Sequence, residues 1–433
     1  MKKRVAIVAL VTVLAAAAPA RADKLAFLIP NLYGPSGLIV DSEAPLPGGG
    51  THSAHFNSAF QTEFTQFNIS LASQIVSVPL PTPAAGFTFT LDPTLGVFTR
   101  TTQSFGPVLA DRAETVGRRR VSVGVTFQRF TFDTLEGLGL DALPAVFTHD
   151  DAQLGGGRID VVTTSNRIDL KVQQLTASIN VGLTDRLDLA VAVPILTVDL
   201  AVRSDATVQR LGTAASPATH FFDDGRGGFG NTRQYVAQGS ASGIGDLVLR
   251  LKGHAVRSGT LDVALGVDGR IPTGDEENLL GSGAPGVKPF LILSMTRKVS
   301  PHAGIAYQWN GDSVLAGNVL TGEKRNFPDQ LLYNVGADVG VTPRFTLALD
   351  LVGRHVMDSP RLVAETFRAR DGSSEFPDIR FDQGASFDIL DGAVGAKLNV
   401  GGRLLIDANV VFKLNDAGLR DRFTPLLGIE YSF

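Results

Sequence analysis

The sequence predicts an all-β fold: a transmembrane antiparallel β-barrel of about 12 strands, within a range of 12–14, preceded by a plug-like N-terminal segment with a helix and a short hairpin. Three observations predict it. An export signal opens the chain, apolar and polar residues alternate with a period of two from about Arg118 to the end, and tight turns alternate with long polar connectors. The expected division is residues 1–22 signal peptide, 23–117 plug or periplasmic segment, and 118–433 barrel.

Lys2, Lys3 and Arg4 precede an apolar run from Val5 to Ala18, and Ala20-Arg21-Ala22 forms a small-x-small site before Asp23. This is the pattern of a secretory signal peptide removed after Ala22. A membrane anchor is the alternative, but the apolar run falls short of the ~20 residues that a spanning helix needs. No later run reaches that length, although the chain is 44% hydrophobic. An exported chain without a helical anchor is either soluble or a membrane barrel, whose strands need only ~9–11 residues each. Cysteine is absent, which excludes disulfides and thiol chemistry. Removing the signal takes four of the 39 basic residues against 43 acidic ones, for a mature charge of about −8. That excess argues against nucleic acid as a partner.

In the N-terminal segment, Phe60, Phe64, Phe67, Leu71, Ile75 and Val78 recur at helical steps. Phe87-Thr88-Phe89-Thr90 and Val97-Phe98-Thr99, joined through Asp92-Pro93-Thr94, read as a hairpin. A helix with an apolar stripe needs a surface to cover it, so the segment is expected in or under the barrel. Another pair of barrel strands is the alternative.

From Arg118 the strands declare themselves. Val121, Val123, Val125 and Phe127 share one face, as do Leu187, Leu189, Val191, Val193 and Ile195, and Leu261, Val263, Leu265 and Val267. Tight connections fall at 184–186, 257–260, 300–302, 342–344 and 401–402, and longer polar segments at about 135–157, 211–242, 274–284, 314–326 and 359–383. Sorting short turns to one rim and long loops to the other is the habit of outer-membrane barrels. The last residues, Leu427 to Phe433, alternate and stop on an aromatic, as expected of a closing strand that the barrel-assembly machinery would engage. Lipid and lipopolysaccharide are then the expected surroundings, in the cell outer membrane.

If the apolar faces meet lipid, the opposite faces line the lumen. Asp246, Arg250, Lys252, Asp268, Arg270, Asp338, Asp350 and Arg354 fall there and are the candidates for contact with a solute. Asp188, Asp262, Asp391, Lys397, Asp407, Lys413 and Glu430 share that parity. Mixed signs also fit an ion-pair network that packs the interior. Asp246 with Arg270 is the leading pair, near the external ends of neighbouring strands.

No catalytic residue, metal site or cofactor is expected. His52 and His55 follow Gly48-Gly49-Gly50 in what reads as a flexible loop, and His149-Asp150-Asp151 reads as solvated loop. His254, His302 and His355 lack a serine and an acid at one level, and the G-x-S-x-G elbow is absent. Gly155-Gly156-Gly157 and Gly225 to Gly230 do not open a helix after a buried strand, as a phosphate cradle would.

Ser242-Gly243-Ile244-Gly245-Asp246-Leu247, Arg270-Ile271-Pro272-Thr273-Gly274-Asp275 and Leu279-Leu280-Gly281-Ser282-Gly283 are similar to passages of the phenol meta-pathway outer-membrane proteins. More remotely, they resemble the long-chain fatty-acid transporters. Gly86 to Phe89, Ser104-Phe105-Gly106-Pro107 and Asp111-Arg112-Ala113-Glu114-Thr115 carry the same resemblance. It implies a plugged barrel that admits small hydrophobic or aromatic compounds, and it supplies no catalytic residues. The function expected is an outer-membrane channel or transporter for their passive passage. The alternative is a structural or adhesive barrel whose external loops bind a partner.

Overall fold

Period-two alternation builds strands that can bury one face and expose the other, and twelve of them close on themselves here. The structure is a computed structural model describing residues 24–34, 37–42, 89–92, 97–100, 104–107, 109–148, 160–211, 220–223 and 228–433. The signal peptide, the stripe from Phe60 to Val78, His52, His55, the His149 to Asp151 segment, Gly155 to Gly157 and Gly225 to Gly227 lie outside the described residues.

The barrel strands are β1 (Val121–Leu135), β2 (Val161–Thr184), β3 (Leu187–Gln209), β4 (Leu247–Ser258), β5 (Leu261–Ile271) and β6 (Gly286–Met295). They continue as β7 (Val299–Asn310), β8 (Gln330–Thr342), β9 (Phe345–Arg368), β10 (Glu375–Val400), β11 (Leu404–Lys413) and β12 (Phe423–Ser432). Each pairs antiparallel with the next, and β12 returns to β1 with Ile429 opposite Val125, which closes the barrel at 12 strands. The expected hairpin is present as Phe89–Asp92 paired with Val97–Arg100. Among the described residues no helix is long and apolar enough to cross a membrane, and the α-helix present, Leu25–Leu28, has a single turn.

One rim carries the tight turns and the C-terminus: Phe433 donates its N–H to the Val121 carbonyl beside the start of β1. The other rim is built up, but less by loops than the sequence reading expected. β9 runs on to Arg368 and β10 starts at Glu375, so residues 359–383 are mostly a hairpin rather than a loop. Thr232–Ile244, mostly inside another expected loop at 211–242, is a strand along the outer half of β3.

The physical reason is an inversion of polarity within single strands. On β2, Leu175, Ile179 and Leu183 point outward and are exposed, opposite the buried Gln174, Thr176 and Asn180. Farther from the turns, the outward face carries Arg167, Asp169 and Lys171 while Ile168, Leu170 and Val172 are buried inside. β3 repeats this, with Leu189 outward in one half, Arg203 and Asp205 outward in the other, and Val198, Leu200 and Val202 within. An outward apolar face suits acyl chains, and an outward charged face with an apolar interior suits water, so the strands pass through the bilayer and project beyond it. Tyr307 and Trp309 (ring centroids 4.7 Å apart) and Tyr431 with Phe433 (4.8 Å) sit towards the two margins of the apolar band, where amphipathic rings favour the interface.

The outward position of Leu265, 55% exposed in the middle of β5, makes a sharp prediction. Leu265→Arg puts a charge against lipid and is expected to cost ~2–4 kcal/mol of folding stability in bilayers. Arginine at the outward, water-facing Lys171 should change stability by less than about 0.5 kcal/mol. Urea titration in lipid vesicles distinguishes the two.

Candidate functional site: the lumen and the segment that crosses it

Inward-facing acids and bases near the trim rim do not face an open pore. They hold Ser104–Gly117, a stretch without strand periodicity that runs through the barrel interior. Its backbone N–H groups find side-chain acceptors on the wall: Phe105 N on Thr346 Oγ1 (2.9 Å), Leu109 N on Asp350 Oδ2 (2.8 Å), Ala113 N on Ser294 Oγ (3.1 Å) and Val116 N on Asp188 Oδ2 (3.0 Å). A segment without a ladder of its own must satisfy its amides this way or leave them orphaned.

Charges tie it further. Arg112 donates to Asp338 (2.9 Å), and Ser104 Oγ donates to the same carboxylate. Arg112 Nη1 also reaches the Ser104 carbonyl (3.1 Å), folding the segment on itself. Gly106 permits that fold: its φ of 88° is left-handed, and a Cβ there would stand 2.9 Å from Arg112 Nε. Asp111 pairs with Arg250, which is also bidentate on Asp268 (2.6 and 2.7 Å) and stacks on Phe290 at 4.8 Å. Lys288 pairs with Asp268 at 2.9 Å. Lys252 Nζ donates to the carbonyls of Arg112 (3.0 Å) and Glu114 (2.8 Å), and Glu114 accepts from Ser294 and Thr296 (both 3.0 Å).

The candidates divide accordingly. Arg250, Lys252, Asp268, Asp338 and Asp350 belong to this network. Asp246 and Arg270 lie elsewhere, at the external end of β4 and β5. Their ion pair is loose at 3.8 Å, because Asp246 accepts from Gly274 N (3.1 Å) and from Ser282 N (2.8 Å), while Arg270 reaches Ala284 O and Asn310 Oδ1. The pair clips the 272–284 loop over the break between Ile244 and Leu247, and Thr273 Oγ1 adds a bond to Gly245 O at 2.7 Å. Asp246→Ala leaves two buried N–H groups without an acceptor and is expected to cost ~2–4 kcal/mol. Adding Arg270→Gln should not restore the loss, which a thermal-melt comparison of single and double variants checks.

Arg354 lines a cavity on the outer side of Leu109. The rest of the lining is Gln128, Phe130 and Phe132 of β1, Asp391, Val411, Thr424, and Leu419-Arg420-Asp421 of a short strand against β1. Phe130 and Phe132 escaped the sequence reading because Phe127 on the same strand faces lipid, and the polarity inversion falls between them. Farther out, Leu25, Ile29, Leu38 and Val40 of the N-terminal segment fill the interior against Leu170, Val172, Val198 and Leu200. Tyr33 Oη bonds Ser204 Oγ (2.9 Å), and burial pushes its phenol up from the ordinary tyrosine range.

His302 lies between two acids, with Nε2 2.6 Å from Asp350 and Nδ1 3.5 Å from Asp338. Both ring nitrogens face carboxylates, so the group is not arranged to take a proton from a hydroxyl as a triad histidine does. Among the described residues no cluster of three or more His, Asp or Glu side chains could hold a metal ion.

A family model described as "Putative MetA-pathway of phenol degradation" matches residues 146–351. No curated protein matches the chain. Among solved structures, an outer membrane channel from Pseudomonas putida F1 aligns at 16% identity and a TM-score of 0.43, over 74% of this chain and 98% of that one. A Pseudomonas aeruginosa FadL homologue aligns at 11% and 0.30, over 72% and 89%. The NanC porin aligns at 7% and 0.33, over 72% and 98%. Ser242–Leu247 and Arg270–Asp275 both lie within the stretch that the family model matches, and the chain, a closed 12-stranded β-barrel with an outward apolar band, resembles the phenol meta-pathway outer-membrane proteins.

Proposed function

We propose that this protein is an outer-membrane channel for the passive passage of small hydrophobic or aromatic solutes, with residues 23–117 acting as its plug. The observation that carries the reading is a barrel interior with two distinct parts: a polar network that seats Ser104–Gly117, and a cavity whose lining mixes Phe130, Phe132, Leu109, Val411 and Leu419 with polar and charged side chains such as Gln128, Arg354 and Asp391. Diffusion suffices, because the seated segment is held by side-chain contacts that can exchange for water. The C-terminal strand ending at Phe433 is the part that the barrel-assembly machinery would recognise, and the outward apolar band would sit in lipid and lipopolysaccharide.

Purified protein reconstituted in planar bilayers and liposomes tests the reading. Stepwise conductance, or entry of a small aromatic solute above that of protein-free vesicles, supports it. Impermeable vesicles that contain folded barrels would favour a structural or adhesive role instead.

A further inference from the structure

We propose that a cationic step on the outward wall, made by Arg129, Lys171 and Arg422, holds the phosphate groups of a lipid A-type glycolipid in the outer leaflet. The inference rests on the built-up rim facing outward and needs no solute to pass, so it is independent of the channel reading. Register fixes the position of the step. Phe127 of β1 stands opposite Leu175 of β2 and Leu427 of β12, and this row is the last apolar one on the outward faces of β1 and β2. The next outward pair is Arg129 with Gln173, and the one after it Thr131 with Lys171. Arg129, Thr131 and Lys171 are exposed. Side chains paired across neighbouring strands lie ~5 Å apart and diagonal ones ~7–8 Å, so this block sets four donor side chains within reach of one phosphate group. Arg422 borders the block on its β12 side: its neighbour Asp421 accepts from Thr131 N at 3.1 Å, and its guanidinium lies over the Phe423 ring, 5.8 Å from the centroid.

No acid holds these three bases. Among the described residues none of them is in an ion pair, whereas bases farther out on β2, β3 and β10 each have one: Arg167 with Asp169 (3.0 Å), Arg203 with Asp205 (3.1 Å) and Arg380 with Glu365 (2.9 Å). The acids of the same faces are engaged or lie farther from the apolar band. Asp169 is taken by Arg167, Asp199 opposite Lys171 accepts from Ser240 Oγ (2.6 Å), and Asp133 comes one outward position after Thr131. In a chain with 43 acidic residues against 39 basic ones, three neighbouring bases without acids mark a surface for an anion. The row beneath them meets acyl chains, so the anion that fits both rows is one attached to such chains. Each base at a bilayer surface adds attraction for an anionic lipid, and a guanidinium takes phosphate by two parallel bonds.

Full-length protein refolded in detergent without native lipid tests this, titrated with bis-phosphorylated lipid A, dephosphorylated lipid A and inorganic phosphate. Native mass spectrometry counts bound lipid, and heat-dependent gel mobility checks folding. Phosphorylated lipid A should bind at least about tenfold more tightly than the dephosphorylated form, ~1.4 kcal/mol, and inorganic phosphate at equal concentration should not displace it. Arg129→Gln with Lys171→Gln should remove most of that preference, and Arg422→Gln the remainder. Lys171→Gln alone should remove part of it and serves where the double variant does not fold. Arg167→Gln with Arg203→Gln, which takes as many positive charges from acid-paired positions, should leave it unchanged. Equal binding of the two lipids, or a preference that survives in the folded triple variant, would overturn the proposal. Equal losses from the paired and unpaired sets would do so too, because the effect would then be one of net charge. Displacement by inorganic phosphate would overturn the assignment to a lipid.

Discussion

Replacing Asp338 and Asp350 together with asparagine is expected to unseat Ser104–Gly117 and open the barrel. These two carboxylates collect Ser104 Oγ, Arg112, His302 and the Leu109 N–H from one side of the lumen. Breaking a buried ion pair by removing one partner costs ~3–5 kcal/mol, because the other charge stays behind without compensation. Here the cation that loses its Asp338 partner is Arg112, on the segment itself, and the segment can relieve the cost by leaving the wall. A change of that size shifts the balance between seated and unseated forms by roughly 10²–10⁴-fold. The barrel should survive, since its twelve strands are closed by backbone ladders that neither side chain enters. Conductance in planar bilayers should therefore rise well above that of the unaltered protein while gel mobility still reports a folded barrel. Arg112→Met added to the double variant removes the guanidinium that faced Asp338 and should recover part of the thermal stability without restoring closure. Unchanged conductance in a folded double variant would mean that the segment does not obstruct passage.

How much of this was legible in the sequence follows from range. Parity is local, so Val121 to Phe127 and Leu261 to Val267 announced strands, and the inward side of Arg250, Lys252, Asp268, Asp338, Asp350 and Arg354 followed from their neighbours. The partners of those charges were not legible, because Asp111 and Arg112 come from a segment more than a hundred residues away that has no periodicity of its own. Asp246 and Arg270 looked like a transport pair because they share a level. What separates them from that role is a set of backbone N–H groups in the 272–284 loop, and backbone donors leave no mark in a sequence. The projecting parts of β9 and β10, and most of Thr232–Ile244, were read as loop where charge and glycine accumulate. The same alternation continues there with its faces exchanged, and exchange is invisible to a reading that assigns one face of each strand to lipid throughout. Phe130 and Phe132 lie just past such an exchange.

The second large effect is expected at Arg250, which joins the barrel wall to the crossing segment. Its guanidinium is shared between Asp268 on the wall and Asp111 on the crossing segment, and it lies on the ring of Phe290. Arg250→Met keeps the bulk over Phe290 and removes the charge, leaving Asp268 with Lys288 (2.9 Å) and Asp111 with Lys252 (3.8 Å). A loss of ~3–5 kcal/mol is expected in a urea titration, as for other broken buried pairs. Asp111→Asn in the same chain should recover part of it, because the acid left with only the 3.8 Å contact to Lys252 is then neutral. Little dependence on salt should accompany the effect, since a pair excluded from water is poorly screened. The exposed pair Arg203 and Asp205, 3.1 Å apart on the projecting part of β3, supplies the contrast. Arg203→Ala should change stability by no more than about 0.5 kcal/mol, because solvent already does most of what the partner does. If both arginines cost the same, the interior charges are hydrated, and the network around Ser104–Gly117 is then too weak to hold a plug.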